Sequence, residues 1–210
     1  TTIAADAQDT ASIEVDNAED DTSLSLEVDD DPANNNSISA DYDQDGAESL
    51  ASASDTLTID LNIDDDEDDF DADVDVTTNE IETQTVNVTA TDDSSSLIYT
   101  VDDSAVESLT WAGDGLTTLE SVEVDGSGIN GGDLDSFSAD EASADITVGS
   151  SGSAFDSGNS TGTEFGFGSG DDTLDANGAS NAVIVEAGNG DDTITGGDAN
   201  DEIEGGEGAD

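Results

Sequence analysis

The sequence predicts an all-β protein. A β-sandwich-like acidic domain over residues 1–101 is followed by the irregular start of a solenoid over 102–150 and a parallel β-solenoid over 151–210. Three observations carry this expectation. Short segments that alternate apolar and polar residues fill the first half. The last quarter repeats every nine residues, and fixed-period repeats are the mark of stacked architectures. No segment holds a helical apolar stripe, and Pro32 is the one proline.

The alternating segments come in order. Ser12-Ile13-Glu14-Val15-Asp16 and Leu24-Ser25-Leu26-Glu27-Val28 both have period two. Thr56 to Ile63 is the clearest, with Leu57, Ile59, Leu61 and Ile63 on one face. Val74/Val76, Val86/Val88 and Leu97 to Val101 continue the series. Strands with one buried face, joined by acidic loops, suit an antiparallel β-sandwich. A flattened, irregular solenoid is the alternative.

Acidic segments interrupt these strands. Asp41-Tyr42-Asp43-Gln44-Asp45-Gly46 resembles the first half of an EF-hand-type loop, in which alternate carboxylates surround one ion and the glycine makes the bend. Its twelfth position is Ser52 rather than Glu, so Asp41, Asp43 and Asp45 are either a calcium loop or a solvated acidic loop. Residues 64–75 hold nine acids in twelve positions, read as a loose surface cluster binding ions weakly or as a plain solvated loop.

From 102 to 150 the apolar residues are widely spaced: Leu109, Trp111, Leu116, Leu119, Val122, Val124, Leu134, Phe137, Ile146 and Val148. Gly, Ser and Asp fill the gaps, as expected for narrow rungs of short strands and turns. Trp111 and Tyr99 could stack on a sugar, but core packing is the expectation. Beyond 150 the nine-residue period appears as FGSGDDTLD (167–175), AGNGDDTIT (187–195), GGDANDEIE (196–204) and GGEGAD (205–210). Stepping back from Asp210 puts Asp201 and Asp192 at position six. Two extra residues follow near Ala182–Glu186, and then Asn181 and Asp172 take position six. Position eight is aliphatic throughout: Leu174, Val183, Ile194 and Ile203.

Composition limits the chemistry. There are 56 acidic residues and no Lys, Arg or His, so no side-chain salt bridge can form. Carboxylates about 4 Å apart repel by about 1 kcal/mol per pair even in water, so cations from outside must screen or bridge them. Oxygen-only ligands suit calcium, whereas zinc, copper and haem sites draw on His or Cys. Nucleic acid is excluded as a partner because nothing can neutralise its phosphates. No apolar run approaches the ~20 residues of a membrane-spanning helix, so no membrane insertion is expected. Without His, Cys or Lys the usual nucleophile–base pairs cannot be assembled, and no enzyme is expected.

The nonapeptides resemble the calcium-binding RTX repeat, G-G-x-G-x-D-x-U-x, with U a large aliphatic residue. The resemblance implies a β-roll. Six residues make a turn, three make a short strand, two nonapeptides make one rung, and calcium sits between turns two repeats apart. It makes Gly168, Gly170, Asp172, Asn181, Gly188, Gly190, Asp192, Gly197, Asp201, Gly206, Gly208 and Asp210 the expected calcium-site residues. One side of the roll should stack Asp172, Asp192 and Asp210. The other should stack Asn181 and Asp201 and bind more weakly, because Asn181 is uncharged. Ile81-Glu82 followed by Val86-Asn87-Val88, and the stretch from Leu116 to Gly128, are similar to strands of RTX-containing surface-layer proteins.

Such proteins leave the cell unfolded by type I secretion, fold on meeting calcium and assemble. The resemblance therefore implies an extracellular, calcium-dependent structural protein whose partner is itself, in a surface layer or filament. A segment of a large RTX adhesin is the alternative, with cell-surface polysaccharide reached through calcium as a further partner. The calcium-binding portion of a secreted hydrolase or toxin is a third reading. The chain stops at position six of its last repeat, which leaves a rung edge of the kind solenoids cap. The expectation is a piece of a longer protein, or a second subunit stacked on that edge.

Overall fold

An alternating strand has one apolar face, and two such faces can leave water only by packing against each other. The chain achieves this by winding. The computed structural model describes residues 2–7, 10–16, 22–29, 36–43, 56–64, 71–79, 81–90, 96–102, 105–125, 134–149, 155 and 162–210. Successive strands fall alternately into two sheets. The first contains β1 (Thr2–Ala7), β3 (Thr22–Asp29), β5 (Thr56–Asp64), β7 (Thr83–Ala90), β9 (Ser108–Ala112), β11 (Ser136–Ser138), β13 (Thr163–Gly166), β15 (Val183–Glu186) and β17 (Glu202–Glu204), in that spatial order. The second contains β2 (Thr10–Asp16), β4 (Asn36–Asp43), β6 (Asp71–Asn79), β8 (Ser96–Asp102), β10 (Ser121–Asp125), β12 (Asp145–Val148), β14 (Thr173–Asp175) and β16 (Thr193–Thr195). A short 3-10 helix at Asp114–Thr117 lies between β9 and β10.

The all-β class and the parallel solenoid are as the sequence predicts. The pairing of the first half differs from the antiparallel expectation. β5 pairs with β7, and β6 with β8, in parallel register, and β1–β3 and β2–β4 do the same. The layering is still sandwich-like, since two sheets face each other. The connection is that of the flattened solenoid, with every strand reaching its neighbour only after crossing to the other sheet. Pairing continues unbroken from β7 to β9 and from β8 to β10.

The core lies between the sheets. Leu57, Ile59, Leu61 and Ile63 on β5 and Val86 and Val88 on β7 face Val74 and Val76 on β6 and Leu97, Tyr99 and Val101 on β8, all buried. Tyr99 and Trp111 meet edge to face with ring centroids 5.0 Å apart, so both aromatics are core residues. Further along, Phe137, Phe155, Phe165 and Phe167 form a second aromatic cluster, with Phe155 and Phe165 at 5.1 Å. Such pairs contribute about 0.5–1.5 kcal/mol beyond their burial. Polar ladders run along the outer face, as where the Asn87 amide donates to Asp60 at 2.8 Å.

The coils shorten toward the C-terminus. Stacked residues lie 27 apart at Asp60 and Asn87, 28 at Ser108 and Ser136, 20 at Asp172 and Asp192, and 18 at Asp192 and Asp210. The last spacing is two nonapeptides. The longer step before it holds the two extra residues, in the turn at 176–182 and in the four-residue β15. Strand length falls from nine residues in β5 to three in β14, β16 and β17.

Candidate metal centre

Three turns, at 167–172, 187–192 and 205–210, leave β13, β15 and β17 and stack on one side of the solenoid. Their second and fourth positions are glycine because the coils nearly touch there. Gly188 has φ +99°, and a Cβ on it would collide with the carbonyl oxygen of Gly168. Gly206, at φ +97°, stands in the same way over Gly188. Gly168, Gly170, Gly190 and Gly208 pack against the carbonyls of Ala142, Ala144, Gly170 and Gly190. The stack is thus a column of backbone oxygens brought close by missing side chains.

Position six supplies the charge. Asp172 and Asp192 are 1% and 4% exposed. Each carboxylate reaches back one coil. Asp172 Oδ1 accepts from the Ile146 N–H at 2.8 Å, Asp192 Oδ1 from the Asp172 N–H at 2.8 Å, and Asp210 Oδ1 from the Asp192 N–H at 3.4 Å. The structure therefore brings Asp172, Asp192 and Asp210 together as the spacing predicts. The second oxygens of Asp172 and Asp192 are buried and have no hydrogen-bond partner. An ionised oxygen held in that state is costly unless a cation joins it.

The energetic consequence is visible in the proton affinities. Burial pushes the Asp172 carboxyl up to about 7, against the lowering pull of the Ile146 N–H, and repulsion from Asp192, Asp145 and Asp171 adds to the rise. Burial also raises Asp192, opposed by the Asp172 N–H and assisted by Asp210, Asp171 and Asp191.

On the opposite side the turns at 176–182 and 196–201 enter β15 and β17. Gly197 packs on the Ala179 carbonyl. Asp201 is half-buried; its Oδ1 accepts from the Val183 N–H and its Oδ2 from the Gly197 N–H, both at 3.0 Å. Ile184 is in register with Glu202, so Asp201 stacks beside Val183 and Asn181 lies two residues away. Likewise Val185, not Val183, stands in register with Ile203. This side brings one position-six carboxylate to the column where the first brings three.

A second ladder was not foreseen. Asp145 Oδ1 accepts from the Asp171 N–H, Asp171 Oδ1 from the Asp191 N–H, and Asp191 Oδ1 from the Ala209 N–H, at 2.8, 2.8 and 2.9 Å. These bonds run in the opposite direction to those of position six. Neighbouring coils are therefore tied both ways by charge-assisted bonds. The repeated GDD at 170–172 and 190–192 is the signal that could have revealed it. Of the EF-hand-like residues, Asp41 and Asp43 lie on β4, and Asp45 lies outside the described residues, as do positions 65–70 of the acidic cluster.

The donors fit calcium: unpartnered carboxylate oxygens, a column of close-packed carbonyls, and no nitrogen or sulfur ligand in the sequence. No group of three acidic side chains converges on one point among the described residues, so backbone oxygens make up much of any coordination shell here. Asp172, Asp192 and Asp210 with their turn glycines would hold ions on one side, and Asp201 with Gly197 on the other. A bound dication supplies neutralisation of the buried carboxylates and a crosslink between coils.

Residues 184–210 match the family model described as the RTX calcium-binding nonapeptide repeat (4 copies). The turn carrying Asp172 lies upstream of that match and shares its geometry. Comparison with curated proteins finds no match, and neither does comparison with solved structures. No helix among the described residues is long and apolar enough to cross a membrane.

Proposed function

We propose that this RTX-type, calcium-binding protein is an extracellular structural subunit that folds on calcium and then assembles with copies of itself into a surface layer or filament. The observation that carries the reading is the pair of buried, unpartnered carboxylate oxygens on Asp172 and Asp192, in a chain with no basic side chain to answer them. Folding of this region is thereby linked to the calcium concentration around it. A chain that stays loose where calcium is scarce and winds up where it is plentiful suits export followed by folding outside the cell, by a type I route. Its role is mechanical, not catalytic.

Self-association is supported by the form of the molecule. Among the described residues, Asp60, Glu164 and Glu186 are exposed on the strands of one sheet, where calcium could bridge them to another copy. Negative-stain electron microscopy of the purified chain, before and after calcium is added, tests the reading. Ordered sheets or filaments that a chelator dissolves are expected. Folded, calcium-bound particles that never associate would overturn self-assembly. They would favour the adhesin segment instead, with the solenoid as a stalk and a surface polysaccharide as the ligand to seek.

A further inference from the structure

We propose that the calcium column extends one coil upstream of the nonapeptides, to an ion held between the turn at 141–146 and the turn at 167–172. The lower turn reads EASADI. It has no glycine and no aspartate at the sixth place, so nothing in its sequence marks it as a calcium turn. The inference rests on the calcium reading of the repeats and assigns a site outside them.

The backbone of this turn nevertheless occupies the same columns. Ala142 and Ala144 lie beneath Gly168 and Gly170 as those lie beneath Gly188 and Gly190. The Ser169 N–H donates to the Ala142 carbonyl at 2.8 Å, as the Asn189 N–H donates to Gly168 and the Glu207 N–H to Gly188, both at 3.0 Å. Register carries through, with Thr147 beside Thr173 and Thr173 beside Thr193. The turn thus has the shape of its successors without their glycines, which it can lack because the glycines are needed by the coil that packs down from above.

The anion is present too, supplied from above. Asp172 places its carboxylate in this gap, bonded to the Ile146 N–H at 2.8 Å, the same bond that Asp192 makes one coil later. Its other oxygen is buried without a partner, in a residue only 1% exposed. In the lower turn the sixth place is Ile146, so this gap is flanked by one position-six aspartate, whereas the gap above, which receives the Asp192 carboxylate, lies between two turns that each carry one. The remaining ligands are backbone carbonyls, and the ion binds more weakly than its neighbours.

Crystals of the full chain grown in calcium, with anomalous differences measured for the metal, decide the matter. The expected map has a calcium peak between turns 141–146 and 167–172, besides those between 167–172 and 187–192 and between 187–192 and 205–210. In Asp172→Asn the lowest peak is lost and the upper two persist. Peaks confined to the upper gaps of the wild-type chain, or a water in the lowest gap, would overturn the extension while leaving the repeats as calcium sites. A map with no calcium in any gap would overturn both. If the variant fails to fold, the wild-type map still decides.

Discussion

The wide coils of the middle and the narrow coils of the C-terminus are held together by different means. β5 buries four aliphatic side chains, Leu57, Ile59, Leu61 and Ile63, against equally apolar strands of the facing sheet. In the narrow coils, β14 buries Leu174 alone, Ile194 on β16 is only partly covered, and Ile203 on β17 is 46% exposed. Complete burial of an aliphatic side chain contributes about 1.5–3 kcal/mol, so β5 gathers several times what β14 can. The narrow coils instead bury carboxylates, which oppose folding until a cation arrives. One winding pattern therefore runs from a hydrophobic solenoid into a calcium-binding one.

Calcium removal should separate the two most sharply. At a calcium concentration a hundredfold above its dissociation constant, one ion stabilises the state that binds it by about 2.7 kcal/mol. Hydrogen exchange followed by mass spectrometry, with and without chelator, should show protection of residues 162–210 falling by about a hundredfold or more. Residues 56–64 and 83–90 should fall by less. Equal losses in both regions would mean that the wide coils depend on the metal as well.

Point substitutions sharpen the contrast. Leu61→Ala should cost about 2–5 kcal/mol of stability through the cavity it leaves, by about the same amount at every saturating calcium concentration. Gly188→Ala acts where φ is positive and the Gly168 carbonyl stands in the way. Left-handed strain alone costs about 1–3 kcal/mol. Here it should emerge as a higher calcium midpoint for folding, read by circular dichroism. A Gly188→Ala chain with an unchanged midpoint would show that the turn is not shaped for the ion.

The two regions also differ in how far their sequences disclosed them. Alternation in residues 56–63 fixed which side chains are buried but not the direction of pairing. An antiparallel sandwich and a parallel solenoid make the same demand for one apolar face. In the narrow coils, the nine-residue period located Asp172, Asp192 and Asp210 correctly because the turns between them keep one shape. It misplaced the partner of Asp201, since two residues are added between repeats and Val183 and Val185 are both apolar, giving two plausible registers. The ladder from Asp145 through Asp171 to Asp191 was hidden for another reason. Its first member lies 26 residues before the second, in a turn with no glycine to announce it.

Within the narrow coils, the two sides offer a finer comparison. Asp192 both donates its N–H to Asp210 and accepts from Asp172, whereas Asp201 has no acidic neighbour in register. Asp192→Asn should therefore raise the calcium midpoint by about tenfold or more, the scale of one charged hydrogen bond at about 1.5–3 kcal/mol. Asp201→Asn should shift it less. Identical calcium titrations for the two variants would sink the unequal pairing of the sides.

Proton competition is the mildest probe and tests the same carboxylates without mutation. With its folded-state value raised from 3.8 to about 7, Asp172 makes the metal-free fold bind a proton that the unfolded chain has released over that range. The metal-free fold therefore gains stability as pH falls from 7 toward 4 and loses it as pH rises through the same window. Calcium replaces the proton at neutral pH, so the calcium midpoint should climb as pH drops below about 7, by no more than about tenfold per unit for one proton. Asp172→Asn should flatten that slope. A slope unchanged in the variant would place the competing proton elsewhere, and would leave the burial of Asp172 without its expected link to the metal.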